Sequence, residues 1–180
     1  MKRQLKSISQ AGIPDALAKA ELYRYLNEPD EAESICRDIL AVEPDHQLAR
    51  RMLGLTITDQ FLGISSDRYI EALSIFQGLR DPYERLYYGG LLHERRAKAQ
   101  LLAGIAPPSL LPLVEEAMQC FAEAEKIRPA GNDDSILRWN YCLRLLESRA
   151  DFYYEGPEAK LESEDEPPFR TAANRASRPH

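Results

Sequence analysis

Three stretches decide the reading of this chain: DEAESICRDILAVEP at 30–44, DRYIEALSIFQGL at 67–79 and EEAMQCFAEAEKIRP at 115–129. Laid over one another they align Ala32, Ala72 and Ala117. Four residues on stand Cys36, Phe76 and Phe121, and three further on Ile39, Leu79 and Ala124. Steps of four and three return to one face of a helix, so each stretch reads as a helix with an apolar stripe. A second set of aligned positions precedes them. Ala20, Gly54 and Gly89 are small, and three residues later come Tyr23, Ile57 and Leu92. Small residues let two helix backbones approach closely, and the larger residue wedges against the next pair. Recurrence three times marks an internal repeat.

Punctuation brackets the helices. The sequence predicts them over about 14–27, 30–42, 46–62, 67–79, 82–103 and 110–127, with a seventh from Asn132 or Asp133 to about Tyr154. Ser66 or Asp67 is the expected N-cap of the fourth, and Ser109 that of the sixth. Asp133 and Asp134 suit a helix start, where carboxylates cap free N–H groups. Gly104 with Pro107-Pro108, and Gly156-Pro157, read as stops. No convincing alternation runs over five residues, so strands are not expected. The result is a series of antiparallel helix pairs and one closing helix.

This pattern resembles the tetratricopeptide repeat (TPR) family. The first repeat, about 13–46, matches at the 34-residue period with Ala20, Tyr23, Ala32, Ile39 and Pro44, and the third has Ala117, Phe121, Ala124 and Pro129. The resemblance covers about 13–155 and implies an all-α, TPR-like α-solenoid of three antiparallel helix pairs plus a C-terminal capping helix. It implies a right-handed superhelix whose concave face binds a peptide or another protein, but no particular process. First helices would line that face with Leu17, Glu21 and Arg24, then Arg51, Leu55 and Thr58, then Tyr83, Leu86, Gly90 and His93. Gly89 and Gly90 leave the third register open by one residue. Co-chaperones of the family hold a C-terminal carboxylate with Lys and Asn where this chain has Leu17 and Glu21, so that clamp is missing. The spacing from small residue to Ala grows from 12 to 18 to 28 residues, which predicts pairs that lengthen along the array, the third most of all.

Composition narrows the function further. The 180 residues carry a net charge of -6, which argues against a general nucleic-acid binder. No apolar run approaches the roughly 20 residues of a membrane span, and the first 12 residues do not read as a secretory signal. Three scattered cysteines, Cys36, Cys120 and Cys142, read as reduced thiols of a cytoplasmic protein. Residues 156–180 contain EAKLESEDEPP and read as a disordered, solubilising acidic and Pro-rich tail. No metal spacing, phosphate loop or nucleophile motif is present, and His93-Glu94-Arg95-Arg96 reads as a solvated helix face. No cofactor and no catalysis are expected.

The expected role is therefore an adaptor or assembly factor binding a protein segment. The alternatives are a client-specific chaperone like those of secretion systems, or a regulatory subunit of an enzyme complex. The closing helix adds one expectation. Ile136, Trp139, Leu143, Leu146 and Ala150 form an inward stripe, while Leu137, Tyr141 and Leu145 form a second stripe. A cap with nothing beyond it needs one apolar face, so the second suggests another copy of the chain or a client, unless the third hairpin buries both faces.

Overall fold

The computed structural model describes residues 3–63 and 66–154. Every regular element within them is helical. Seven α-helices follow one another: α1 Ile13–Tyr25, α2 Pro29–Val42, α3 Gln47–Asp59, α4 Ser66–Gln77, α5 Pro82–Leu102, α6 Pro107–Lys126 and α7 Asp134–Glu147. Short 3-10 turns, Gln10–Gly12 and Ala150–Tyr153, lie at either end. The expected tail lies outside the described residues, and so does the Ser66 side chain named as a cap.

Local chemistry sets the helix ends. Proline occupies the first turn of α1, α2, α5 and α6, where its missing N–H removes no helical bond. Pro107-Pro108 therefore begins α6 rather than only stopping α5, and Ser109 lies inside the helix instead of capping it. Asp81 caps α5 by accepting from the Tyr83 N–H at 2.8 Å. His46 caps α3, its Nδ1 accepting from the Ala49 N–H at 3.2 Å. At α7 Asp133 holds the N-cap position but its side chain caps no N–H: Asn132 Oδ1 accepts from the Asp134 N–H at 3.0 Å, while Asp133 pairs with Arg128. Helix α7 also stops at Glu147, short of Tyr154. The chain turns at Arg149 (φ -136) and drops Phe152, 1% exposed, into the core.

Each helix packs on the next, and α1 also touches α3, α3 touches α5, and α5 touches α7. The small residues permit the close approaches, each opposite its own pair's wedge. A Cβ on Gly54 would lie 2.3 Å from the Phe76 ring, and one on Gly90 2.7 Å from the Phe121 ring. A Cβ on Gly89 would meet nothing within 4 Å, so the third register runs through Gly90. In the first pair Ala20 and Cys36 occupy the equivalent positions, both fully buried in one cluster. There the first-helix residue is larger than the glycine of the other pairs and the second-helix residue smaller than their phenylalanine.

The third pair is long, with helices of 21 and 20 residues against 13 and 14 in the first. The second pair is not, at 13 and 12 residues. Its extra residues form the connection after Asp59, where Gly63 adopts φ +62, a left-handed turn that ends helices. One core cluster joins Ala20, Cys36, Ile57, Phe76 and Leu92, and another joins Leu91, Val114, Phe121, Cys142 and Phe152. Leu55 and Tyr88 pack against both. An aromatic seam reinforces the junction: Tyr88 stacks on Phe76 at 5.4 Å, Tyr87 meets Tyr88 edge-on at 5.0 Å, and Tyr83 stacks on Tyr87 at 5.8 Å.

Candidate partner-binding groove

Ion pairs tie the odd-numbered helices side by side. Arg24 on α1 donates to Asp59 on α3 at 2.7 Å. Asp59 also takes Arg95 of α5, whose guanidinium donates to Thr58 Oγ1 at 2.6 Å and to the Leu55 carbonyl at 3.3 Å. Arg51 pairs with Glu84 at 2.7 Å. The partners stand 35, 36 and 33 residues apart. Arg51–Glu84 lies near the starts of α3 and α5 and Asp59–Arg95 further along both, so these two helices run in the same direction.

The same links continue onto α7. Glu94 accepts from Arg138 at 3.3 Å, with Lys98 Nζ 3.6 Å away. Glu94 is only 1% exposed, and its Oε2 has no hydrogen-bond partner among the described residues. A carboxylate so placed is tolerable only because two cations face its other oxygen. The Lys98 ammonium also sits 4.7 Å over the Tyr141 ring, which couples α5 to the outer surface of α7.

Because α5 overhangs the end of α3, these residues border a groove of about 240 Å³. Thr58, Asp59, Phe61, Arg95, Lys98 and Leu102 line it. Its apolar edge is open at Leu102, 90% exposed, while on neighbouring α7 Tyr141 lies beneath Lys98 and Leu137 is exposed one turn earlier. Four cations, Arg24, Arg95, Lys98 and Arg138, surround two carboxylates, Asp59 and Glu94. Two positive charges are therefore left over in a chain of net charge -6. Burial pulls the Arg95 pKa down, with Asp59 opposing that shift. Arg144, on the outer face of α7, has no ion-pair partner among the described residues.

The even-numbered helices carry a balanced network instead. Glu33 of α2 binds Arg37 and Arg68, and Arg37 and Arg68 both reach Glu71 of α4. The Arg68 hydrogen bond, helped by Arg37 and Gln60 against the cost of burial, holds the Glu33 carboxyl down to about 2. Two acids meet two bases there, and no charge is left for a ligand.

Of the residues expected along the binding face, Arg24, Arg51, Leu55 and Thr58 lie on the linked face of the odd helices, each held as described. Glu21 is exposed, and Leu17 packs against the cluster around Ile13 and Ile39. Tyr83, Leu86, Gly90 and His93 do not belong to that face. Gly90 meets Phe121 of α6. His93 Nδ1 lies 3.3 Å from the Tyr69 hydroxyl on α4 and 3.2 Å from Glu116 on α6. Tyr83 is 7% exposed and donates to Asn132 at 3.2 Å, and Leu86 shares the face of Gly90 one turn earlier. The slip is one residue: taking Gly90 as the small position puts Glu84, Tyr87, Leu91 and Glu94 where the ion pairs are observed.

On α7 the buried side chains are Ser135, Cys142 and Leu146, with Trp139 packed alongside. That 4-3-4 stripe is rotated from the expected one. Leu145 packs into the core cluster, so only Leu137 and Tyr141 of the second stripe are exposed. The reading of His93-Glu94-Arg95-Arg96 as a solvated face also fails, since Glu94 is buried and Arg96 lies 3.9 Å over the Tyr69 ring. The available signal was charge spacing: Arg24, Asp59 and Arg95 repeat at 35 and 36 residues with alternating sign.

Among the described residues, no group of three or more His, Cys, Asp or Glu side chains could hold a metal ion. No helix among them is long and apolar enough to cross a membrane. Compared with protein-family models, curated proteins and solved structures, the chain matches none.

Proposed function

We propose that the chain is a TPR-like α-solenoid, three antiparallel helix pairs closed by α7, and that it acts as a non-catalytic protein-interaction module. It takes a segment of a partner protein along the face of its odd-numbered helices, as an adaptor or assembly factor does. The 33–36-residue spacing of the ion pairs across that face supports the architecture, since it straddles the family's 34-residue period. The groove beside Lys98 carries the functional reading. It combines uncompensated positive charge with exposed apolar side chains, which fits a segment bearing carboxylates next to a Leu or aromatic residue.

The test compares affinity capture from native lysate by the full chain and by a Leu102→Ser, Leu137→Ser, Arg144→Glu variant. All three changes are at accessible positions, so helicity and melting should be unchanged. The partner recovered by the unmodified chain should be lost by the variant. Recovery of the same proteins in the same amounts would refute the groove.

A further inference from the structure

We propose that the chain self-associates head to tail, the projecting tip of the third helix pair in one copy seating in a pocket on the first pair of the next. The contact goes beyond the groove reading, because its seat lies on α1 and α2. Charge is divided unevenly between the two regions. Residues 13–42, which form α1 and α2, carry seven acidic and three basic side chains, net -4. Residues 95–114, which form the end of α5, its connection and the start of α6, carry Arg95, Arg96 and Lys98 and no acid. Arg95 is committed to Asp59, but Arg96 has no ion-pair partner among the described residues and rests on the Tyr69 ring. Surfaces of opposite sign attract each other and repel their own kind, so the contact joins unlike regions of two copies.

The seat is a pocket of about 440 Å³ between α1, α2 and the segment that precedes α1. Ile8, Ala16 and Ile35 give it an apolar lining, and Asp15, Asp38 and Lys19 supply its charge. Neither aspartate side chain has a hydrogen-bond or ion-pair partner among the described residues, so both are open to a cation. The tip is the end of α5. Asp59 closes α3 and meets Arg95, so the seven residues from there to Leu102 run on past that helix, about 10 Å at 1.5 Å per residue. Leu102 is the exposed point of this extension, and Lys98 lies one turn before it on the same face. Leu102 suits the apolar lining, and Lys98 brings the cation that the two aspartates lack. Within one chain no principal helix contact joins α1 or α2 to α5 or α6, so tip and seat meet only between copies. Each added copy leaves one tip and one seat unused, and assembly continues past the dimer. A single projecting tip buries less than a standard interface, which makes the association weak and dependent on salt.

Sedimentation velocity of the full chain over a concentration series tests the contact. The mean mass should rise with concentration at low salt and return to the monomer value at about 1 M salt, where the screening length is near 3 Å. A tip variant, Leu102→Glu, and a seat variant, Asp15→Lys with Asp38→Lys, should each stay monomeric, with helicity and melting read alongside. Their equimolar mixture should form a one-to-one complex that grows no further, since it holds one intact tip and one intact seat. Should the lysine pair unfold the chain, Asp15→Asn with Asp38→Asn keeps the side-chain shapes and should still weaken association several-fold. An unmodified chain that is monomeric at every concentration would overturn the proposal, as would undiminished association in a folded variant of either kind. A mixture of two folded variants that stays monomeric would overturn it as well. Carbodiimide treatment of the unmodified chain should join Lys98 to Asp15 or Asp38 in the dimeric species alone, and dimers linked without either aspartate would refute the placement. The seat variants alter no groove residue, so the capture comparison decides the groove separately.

Discussion

Neighbouring glycines on α5 should respond in opposite directions to the same substitution. At Gly89 an added Cβ meets nothing within 4 Å. Gly89→Ala should therefore gain the helix-propensity difference, about 0.8–1 kcal/mol. For a domain of this size that raises the melting temperature by roughly 2–4 °C. At Gly90 the same Cβ would stand 2.7, 2.8 and 3.0 Å from three carbons of the Phe121 ring. Phe121 is fully buried and cannot swing into solvent. Overpacking of this kind costs about 1–3 kcal/mol, which outweighs the propensity gain, so Gly90→Ala should melt several degrees lower. Phe121→Leu alone should destabilise, but combined with Gly90→Ala it should cost less than the sum, with a coupling of roughly 1 kcal/mol. The first pair already shows the compensated form, Ala20 with Cys36. Thermal and denaturant melts of the four variants read all of this. A Gly90→Ala chain as stable as the parent, or a Gly89→Ala chain equally destabilised, would refute the register and the close-packing argument with it.

Three further outcomes follow from other sites. Glu33 has its pKa depressed from 4.5 to about 2, so its contribution is present above pH 4.5 and lost as pH falls towards 2; stability should drop by about 1–2 kcal/mol across that window after screening at the exposed guanidiniums, and Glu33→Gln should flatten urea-melt midpoints there. Leu145→Glu places a charge in the second core cluster and should lower the melting temperature sharply, whereas Leu137→Glu, at a position 63% exposed, should stay within about 0.5 kcal/mol of the parent. Burial pushes the Cys36 and Cys142 thiols up to about 12, and raises half-buried Cys120 as well, so iodoacetamide at neutral pH should modify Cys120 first, as peptide mass spectrometry would show.

Helix content was legible because apolar spacing and proline placement agree over most of the chain. The aligned residues Ala32, Ala72, Ala117, Phe76 and Phe121 are buried as the stripes required. Where side chains alone must choose between adjacent positions, the sequence was ambiguous. Gly89 and Gly90 differ only in what stands opposite, and that error moved Tyr83, Leu86 and His93 onto the wrong face. Length differences between repeats were also misassigned in the second pair, because a count of residues does not distinguish a longer helix from a longer connection. Buried Glu94 escaped because a charged residue is rarely inside unless paired, and its partner Arg138 lies 44 residues away.

The principal helix contacts join elements no more than two apart in the chain, with α1 meeting α2 and α3 but not α5 or α7. Such a molecule resembles a stack of coupled layers rather than one globule closed by distant pairings. Loop closure over long separations is avoided, which favours rapid folding. The layers should also open unequally. The third pair, clamped by α7 and Phe152 and holding the longest helices, should protect its amides from exchange most strongly, while α1, covered on one side only, should fray first. In this arrangement the groove belongs to the slowly opening part of the array, on a support that stays ordered while the opposite end breathes.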